Sequence, residues 1–188
     1  MPTHVALLRG INVGGRNKVA MADLRAVLTS LGHADVATYI QSGNVVFSTA
    51  ETDTAALAAA IEGAIAERLD VWPRVVVLSR GDLAQVVADN PHPGEPNPKA
   101  LHAVFLDTDP DPDVVAAVAV AQDKAAQQGS RDTAQFVGRT MFLHTPDGFG
   151  RSELAVLLGR ASGPLSPRGV GTARNWATVA RLLDLCDS

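Results

Sequence analysis

The chain has 188 residues, 46% hydrophobic and 19% charged, which is the composition of an ordinary globular protein. Its net charge of −4 argues against sequence-independent coating of nucleic acid, which needs a broad positive field. Aromatic residues make up only 4%, so the core is expected to be built from Val, Leu, Ile and Ala. Cys186 is the single cysteine, which rules out an intrachain disulfide and points to a reducing compartment. No apolar run approaches the roughly 20 residues that span a bilayer. Met1-Pro2-Thr3-His4 has none of the marks of a signal peptide. A cytoplasmic protein with no membrane partner is expected.

Val5–Ile11 reads as a first strand. Met21, Leu24, Val27, Leu28 and Leu31 follow at helical spacing. Val36–Gln41 and Asn44–Ser48 read as strands joined through Ser42-Gly43, a tight hairpin signal. Thr52-Asp53-Thr54 supplies capping residues for a helix whose stripe is Leu57, Ile61, Ile65 and Leu69. Arg74–Ser79 is a fourth strand, and Ser79 with Asp82 can cap a short helix running through Asp89. The segment 90–98 holds four prolines, which exclude helix and strand alike and mark a boundary.

After the boundary the order restarts. Leu101–Asp107 reads as a strand, and Asp111-Pro112 opens a helix to about Gln128. Thr133–Val137 and Thr140–Thr145 form a hairpin around Gly138-Arg139. Arg151–Ala161 reads as a helix, followed by a Gly/Pro-rich loop and a last helix from about Thr172. The expected fold is α+β, with two ferredoxin-like halves of βαββα type packed together and an extra C-terminal helix. The halves are expected over 1–89 and 100–188, with a Pro-rich linker over 90–99. Leu7-Leu8, Arg74–Leu78 and Leu101–Leu106 are nearly unbroken apolar runs, so both faces of their sheets are expected to be covered.

Three segments carry polar groups that could form a site. The first is the loop Arg9–Lys18, with Gly10, Gly14 and Gly15, the asparagines Asn12 and Asn17, and the cations Arg9, Arg16 and Lys18. Backbone N–H groups around Gly14-Gly15 could cradle an anion; the same glycines also suit a plain sharp turn. The spacing is neither that of a Walker A loop nor that of a dinucleotide fingerprint. The second is the hairpin Thr38–Phe47, where alternation puts Tyr39 and Gln41 on one face; taken alone, it reads better as an ordinary hairpin with a hydrogen-bonded Tyr.

The third is the start of the last helix. There Arg174 and Asn175 are expected in the first turn, where a cation opposes the helix dipole. Trp176, Val179, Ala180, Leu183 and Cys186 form the expected buried stripe, with Arg174, Thr178 and Arg181 together on another face.

Other chemistries find no support. His4, His33, His92, His102 and His144 lack ligand spacing, so no metal site is expected. Ser42 is not in a Gly-x-Ser-x-Gly elbow. Asp107, Asp109, Asp111 and Asp113 lack the glycine and closing glutamate of a calcium loop. An RNA-recognition module would need aromatics on its central strands, and strand one has none. No nucleophile–base pair names a reaction, so catalytic residues and cofactors are left unknown.

Leu7–Gly15, Met21–Leu24, Thr38–Phe47 and Thr172–Thr178 together resemble the bacterial domain-of-unknown-function family 1697. That resemblance implies a duplicated ferredoxin-like arrangement and no particular activity. His33 and His92 depart from it, standing where an aromatic is often found. Arg9, Asn12, Gln41, Asn44, Arg174 and Asn175 are polar where simple packing calls for apolar types, which favours one shared site. The expected ligand-binding set is Arg9, Asn12, Gly14, Gly15, Asn17, Tyr39, Gln41, Asn44, Arg174 and Asn175. The expected ligand is a small phosphate- or carboxylate-bearing molecule such as a nucleotide. The alternatives are local nucleic-acid binding by the same arginines, or a structural protein, as monomer or homodimer, in which they tie the fold.

Overall fold

Residues 1–159 and 171–188 are described here from a computed structural model. The elements run β1 His4–Arg9, α1 Met21–Ser30, β2 Ala34–Tyr39, β3 Asn44–Ser48, α2 Thr54–Leu69, β4 Arg74–Ser79 and α3 Arg80–Ala88. The second series is β5 Leu101–Phe105, α4 Pro112–Gln127, β6 Thr133–Val137, β7 Thr140–His144, α5 Glu153–Leu158, β8 Thr172–Asn175 and α6 Trp176–Cys186. A single 3-10 turn at Phe149–Arg151 precedes α5. The fold is α+β, with two four-stranded antiparallel sheets ordered β2-β3-β1-β4 and β6-β7-β5-β8. Both orders are compatible with a ferredoxin-like arrangement. Among the described residues no helix is long and apolar enough to cross a membrane.

The chain forms two compact units, residues 1–85 with 180–188, and residues 86–179. In the first, α1 and α2 cover one face of the sheet, burying Ala6, Leu8, Val45, Phe47, Val75 and Val77 against Leu24, Leu28, Ile61 and Ile65. Val5, Leu7, Val46 and Val76, which alternate to the opposite face, are buried as well. The unbroken apolar runs reflect this burial on both faces. The last residues belong to this unit, where Asp187 pairs with Arg80 at 2.6 Å. In the second unit Val104, Met141 and Leu143 pack against Val118, Ala125, Leu154 and Leu158 of α4 and α5.

The caps follow the sequence closely. The Asp53 carboxylate accepts from Ala55 and Ala56 N–H at the start of α2, and Asp111 accepts from Asp113 N–H at the start of α4. Ser79 and Asp82 cap α3 reciprocally: Asp82 N–H donates to Ser79 Oγ, and Ser79 N–H and Oγ donate to Asp82 Oδ2. Edge strands are protected by helix side chains. Val75 N–H of β4 donates to Glu62, and Ala134 N–H of β6 donates to Gln122, each at 2.7 Å.

Four expectations need correction. The first is the C-terminal segment: Thr172–Asn175 is a strand, paired antiparallel with β5, and the helix starts only at Trp176. The second series therefore has a strand where the sequence reading had the start of a helix. Four residues, with no apolar alternation of their own, take strand form because β5 offers them partners. The second is the stripe of α6: Val179, Leu182 and Cys186 are buried, while Ala180 is exposed. The third concerns strand ends. β1 stops at Arg9 and β2 at Tyr39, because Gly10 (φ 76°) and Ile40 (φ 51°) leave the extended region. The fourth is the helix read over Arg151–Ala161, which runs over Glu153–Leu158; Ala161 and most of the Gly/Pro-rich loop lie outside the described residues.

Candidate functional site

The loop after β1 folds into a small finger. Asn12 N–H donates to the Asn17 carbonyl at 3.0 Å, Val13 bridges Arg16, and Arg16 N–H donates back to the Val13 carbonyl at 3.1 Å. Gly14 (φ 58°) and Gly15 (φ 76°) are the two central residues of this turn. Two successive left-handed residues are what a primed hairpin turn requires, and glycine supplies them without a Cβ clash. Both glycines are exposed at the tip, well before α1 begins at Met21.

The asparagines fasten this finger to the sheet. Asn12 Nδ2 donates to the Val19 and Gln41 carbonyls and its Oδ1 accepts from Val19 N–H, all at 2.9 Å. Its amide thus acts on Val19 as a strand partner would. Asn17 Nδ2 donates to the Gly10 carbonyl at 2.8 Å. Buried Asn44 donates from Nδ2 to the Tyr39 carbonyl and to Ser42 Oγ, closing the β2–β3 turn. Gly43 lies against β1, and a Cβ there would meet Leu8 Cβ at 2.7 Å. Its carbonyl accepts from Leu8 N–H, so turn and strand are locked together.

Strand register collects several of the expected residues at one end of this sheet. Tyr39 pairs with Asn44, Asn44 with Leu7, and, one pleat on, Arg9 with Arg74. Leu8 and Val75 face the helices, so Leu7, Arg9, Asn44, Tyr39 and Arg74 alternate to the other face. Burial, and then the charge of Arg74, lower the pKa of the half-buried Arg9. Arg74 stands on the edge strand, and its guanidinium reaches around that edge to Glu62 of α2 at 3.3 Å. The Gln41 side chain is exposed, and only its backbone carbonyl enters the network.

Arg74 was not among the expected site residues. Its position opposite Arg9 is a matter of β1–β4 register, for which the sequence carries no local signal.

Arg174 and Asn175 lie in the other unit. They are not in a first helical turn. Asn175 ends β8, and its Oδ1 accepts from Thr178 N–H at 2.9 Å, which makes it the cap of α6. Arg174 is a buried strand residue whose Nη1 donates to Thr172 Oγ1 and the Ala173 carbonyl, each at 2.8 Å. Burial pulls its pKa down to about 10, so it stays charged at neutral pH. Arg174, Thr178 and Arg181 do not share a helix face: Thr178 is buried and Arg181 exposed.

The residues whose polarity pointed to a site thus divide into the asparagines, which are staples, the cations, and the exposed Gln41. The family described as "Protein of unknown function (DUF1697)" matches residues 1–141, which include the finger, the β2–β3 turn and both strands that carry Arg9 and Arg74. The chain belongs to this family. Among solved structures, the chain is similar to the conserved bacterial protein SP0830 from Streptococcus pneumoniae. That protein is 25% identical, with 98% of each chain covered and a TM-score of 0.73. No curated protein matches the chain. His33 and His92 both pack against other rings. His33 lies 4.7 Å from the Phe47 ring, and His92 stacks on His144 at 4.3 Å.

Proposed function

We propose that the first unit binds a small phosphate- or carboxylate-bearing molecule, with nucleotides the leading class, where Arg9 and Arg74 face each other. The observation that supports this reading is their direct cross-strand pairing. Like charges set opposite one another in a sheet repel, and an anion that reaches both guanidinium groups is attracted by both, beside the Glu62 carboxylate already at Arg74. Guanidinium groups suit the task because each offers a planar fork to phosphate or carboxylate oxygens. Tyr39 and Asn44 lie on the same face and end of the sheet. Tyr39 is the orienting group in this reading. Asn44 holds the turn that positions it.

A thermal-shift screen against nucleotides, sugar phosphates and short oligonucleotides tests the proposal. A ligand at 100 times its dissociation constant is expected to stabilise the fold by about 2.7 kcal/mol. Arg9→Ala and Arg74→Ala should each abolish that shift. A stabilising ligand retained by both variants would remove the arginines from the site. A second reading, that the polar residues only tie loops together, is favoured for Asn12, Asn17, Asn44 and Asn175 by their backbone bonds. It extends to Arg9 if Arg9→Ala lowers the melting temperature and leaves binding intact.

A further inference from the structure

The same end of the first unit's sheet carries apolar side chains that the core does not use. Trp72 is 73% exposed, Val13 68% and Ile40 51%. A tryptophan this open is unusual, and its segment is fixed: Val71 and Pro73 on either side are buried. Val13 is held in the two-glycine finger and Ile40 in the turn locked by Asn44 and Gly43. The finger follows β1, Ile40 follows β2 and Trp72 precedes β4, so all three tips project from one end of the sheet. Asn12 bonds the finger to the Gln41 carbonyl, next to Ile40.

The charge at this end is opposite to that of the chain. Residues 9–22, 36–50 and 66–75, together with Glu62 that pairs with Arg74, hold five cations and three acids, in a protein whose net charge is −4. The finger itself bears Arg16 and Lys18 and no acid.

We infer that this end docks on an anionic lipid surface, with Trp72, Val13 and Ile40 entering the interface and Arg16 and Lys18 on the headgroups. Three separate tips define a plane, and a bilayer surface can meet all of them at once. Tryptophan favours the headgroup boundary, and aliphatic tips gain only where they leave water. A nucleic acid would stack on Trp72 and leave Val13 and Ile40 against phosphate. A symmetric second copy would set the cationic ends against each other. Peripheral docking of this kind needs no spanning segment, and the cations it uses, Arg16 and Lys18, are not those of the anion site at Arg9 and Arg74.

The test is sedimentation of the full chain with phosphatidylcholine vesicles containing about 30% phosphatidylglycerol, compared with phosphatidylcholine alone and with single-stranded oligonucleotide. Binding is expected only with the anionic vesicles and should fall with salt. Reversing neither fold nor core, Arg16→Ala with Lys18→Ala should weaken it by about 25-fold, at about fivefold per cation. Trp72→Ser and Val13→Ser should each weaken it by about tenfold or more. In a Trp176→Phe background Trp72 is the one remaining tryptophan, and its emission should shift to the blue on binding. Failure to bind anionic vesicles at low salt overturns the inference. So does binding unchanged by Trp72→Ser with unshifted emission, or association with the oligonucleotide alone.

Discussion

Asn12 concentrates the residue-scale argument. One amide makes three bonds, to both backbone groups of Val19 and to the Gln41 carbonyl, and so joins the finger, the approach to α1 and the β2–β3 turn. Asn12→Ala leaves those backbone groups without a partner and is expected to cost about 2–3 kcal/mol. The shift in the urea midpoint would measure it, and an unchanged midpoint would contradict the staple role. Gly43→Ala meets two penalties together, a left-handed φ of 73° and the 2.7 Å approach to Leu8 Cβ. It is expected to destabilise by about 2 kcal/mol or more, whereas alanine at Gly63, a helical position with nothing within 4 Å, should not destabilise.

At the scale of the element, β8 is the informative case. In a helix beginning at Thr172 the first four amides would lack intrahelical partners and exchange quickly. In the strand, alternate amides of Thr172–Asn175 bond β5 and should exchange slowly, which hydrogen exchange followed by mass spectrometry or NMR can distinguish. Uniformly fast exchange there would contradict the strand. Asn175→Ala removes the cap of α6 and is expected to cost about 1 kcal/mol, with Asn175→Asp retaining most of it. The same logic predicts a similar loss for Asp53→Ala at α2. Cap and strand are linked in β8, because a capping residue keeps extended dihedrals and so ends a strand as readily as it starts a helix.

At the scale of the whole molecule, histidines set the response to pH. Burial lowers the pKa of His4, His33, His92 and His102 from the ordinary 6.5. The unfolded chain therefore takes up protons first as the pH falls. Their contribution is fully present above about pH 6.5 and declines below it. Glu95, held low by the Asn97 N–H and then by His144, and Asp147, held low by Arg131, add losses only further into the acid range. Melting temperature is accordingly expected to fall between about pH 7.5 and about pH 5.5. His102, whose Nδ1 is buried without a hydrogen-bond partner and whose ring lies 4.5 Å from Phe149, is one of these groups. His102→Phe should flatten the slope, and an unaltered slope would exclude it.

Much of this protein was legible without coordinates, because its signals are local. Helical spacing located α1 and α2, Asp53 and Asp111 located two helix starts, and Gly138-Arg139 located the β6–β7 turn. Each depends on residues a few positions apart, where backbone propensity and capping act. The order strand–helix–strand–strand–helix, read twice, was enough to give the α+β class. What the tertiary structure decided depends on partners distant in sequence. Thr172–Asn175 is a strand only because β5 pairs with it. Arg74 joins Arg9 only through the β1–β4 register. The motif asparagines resembled ligand groups until their partners, Val19, Gln41, Gly10 and Tyr39 among them, were placed. A polar side chain reads the same in sequence whether it holds a ligand or a backbone carbonyl, and only its neighbours in space separate the two.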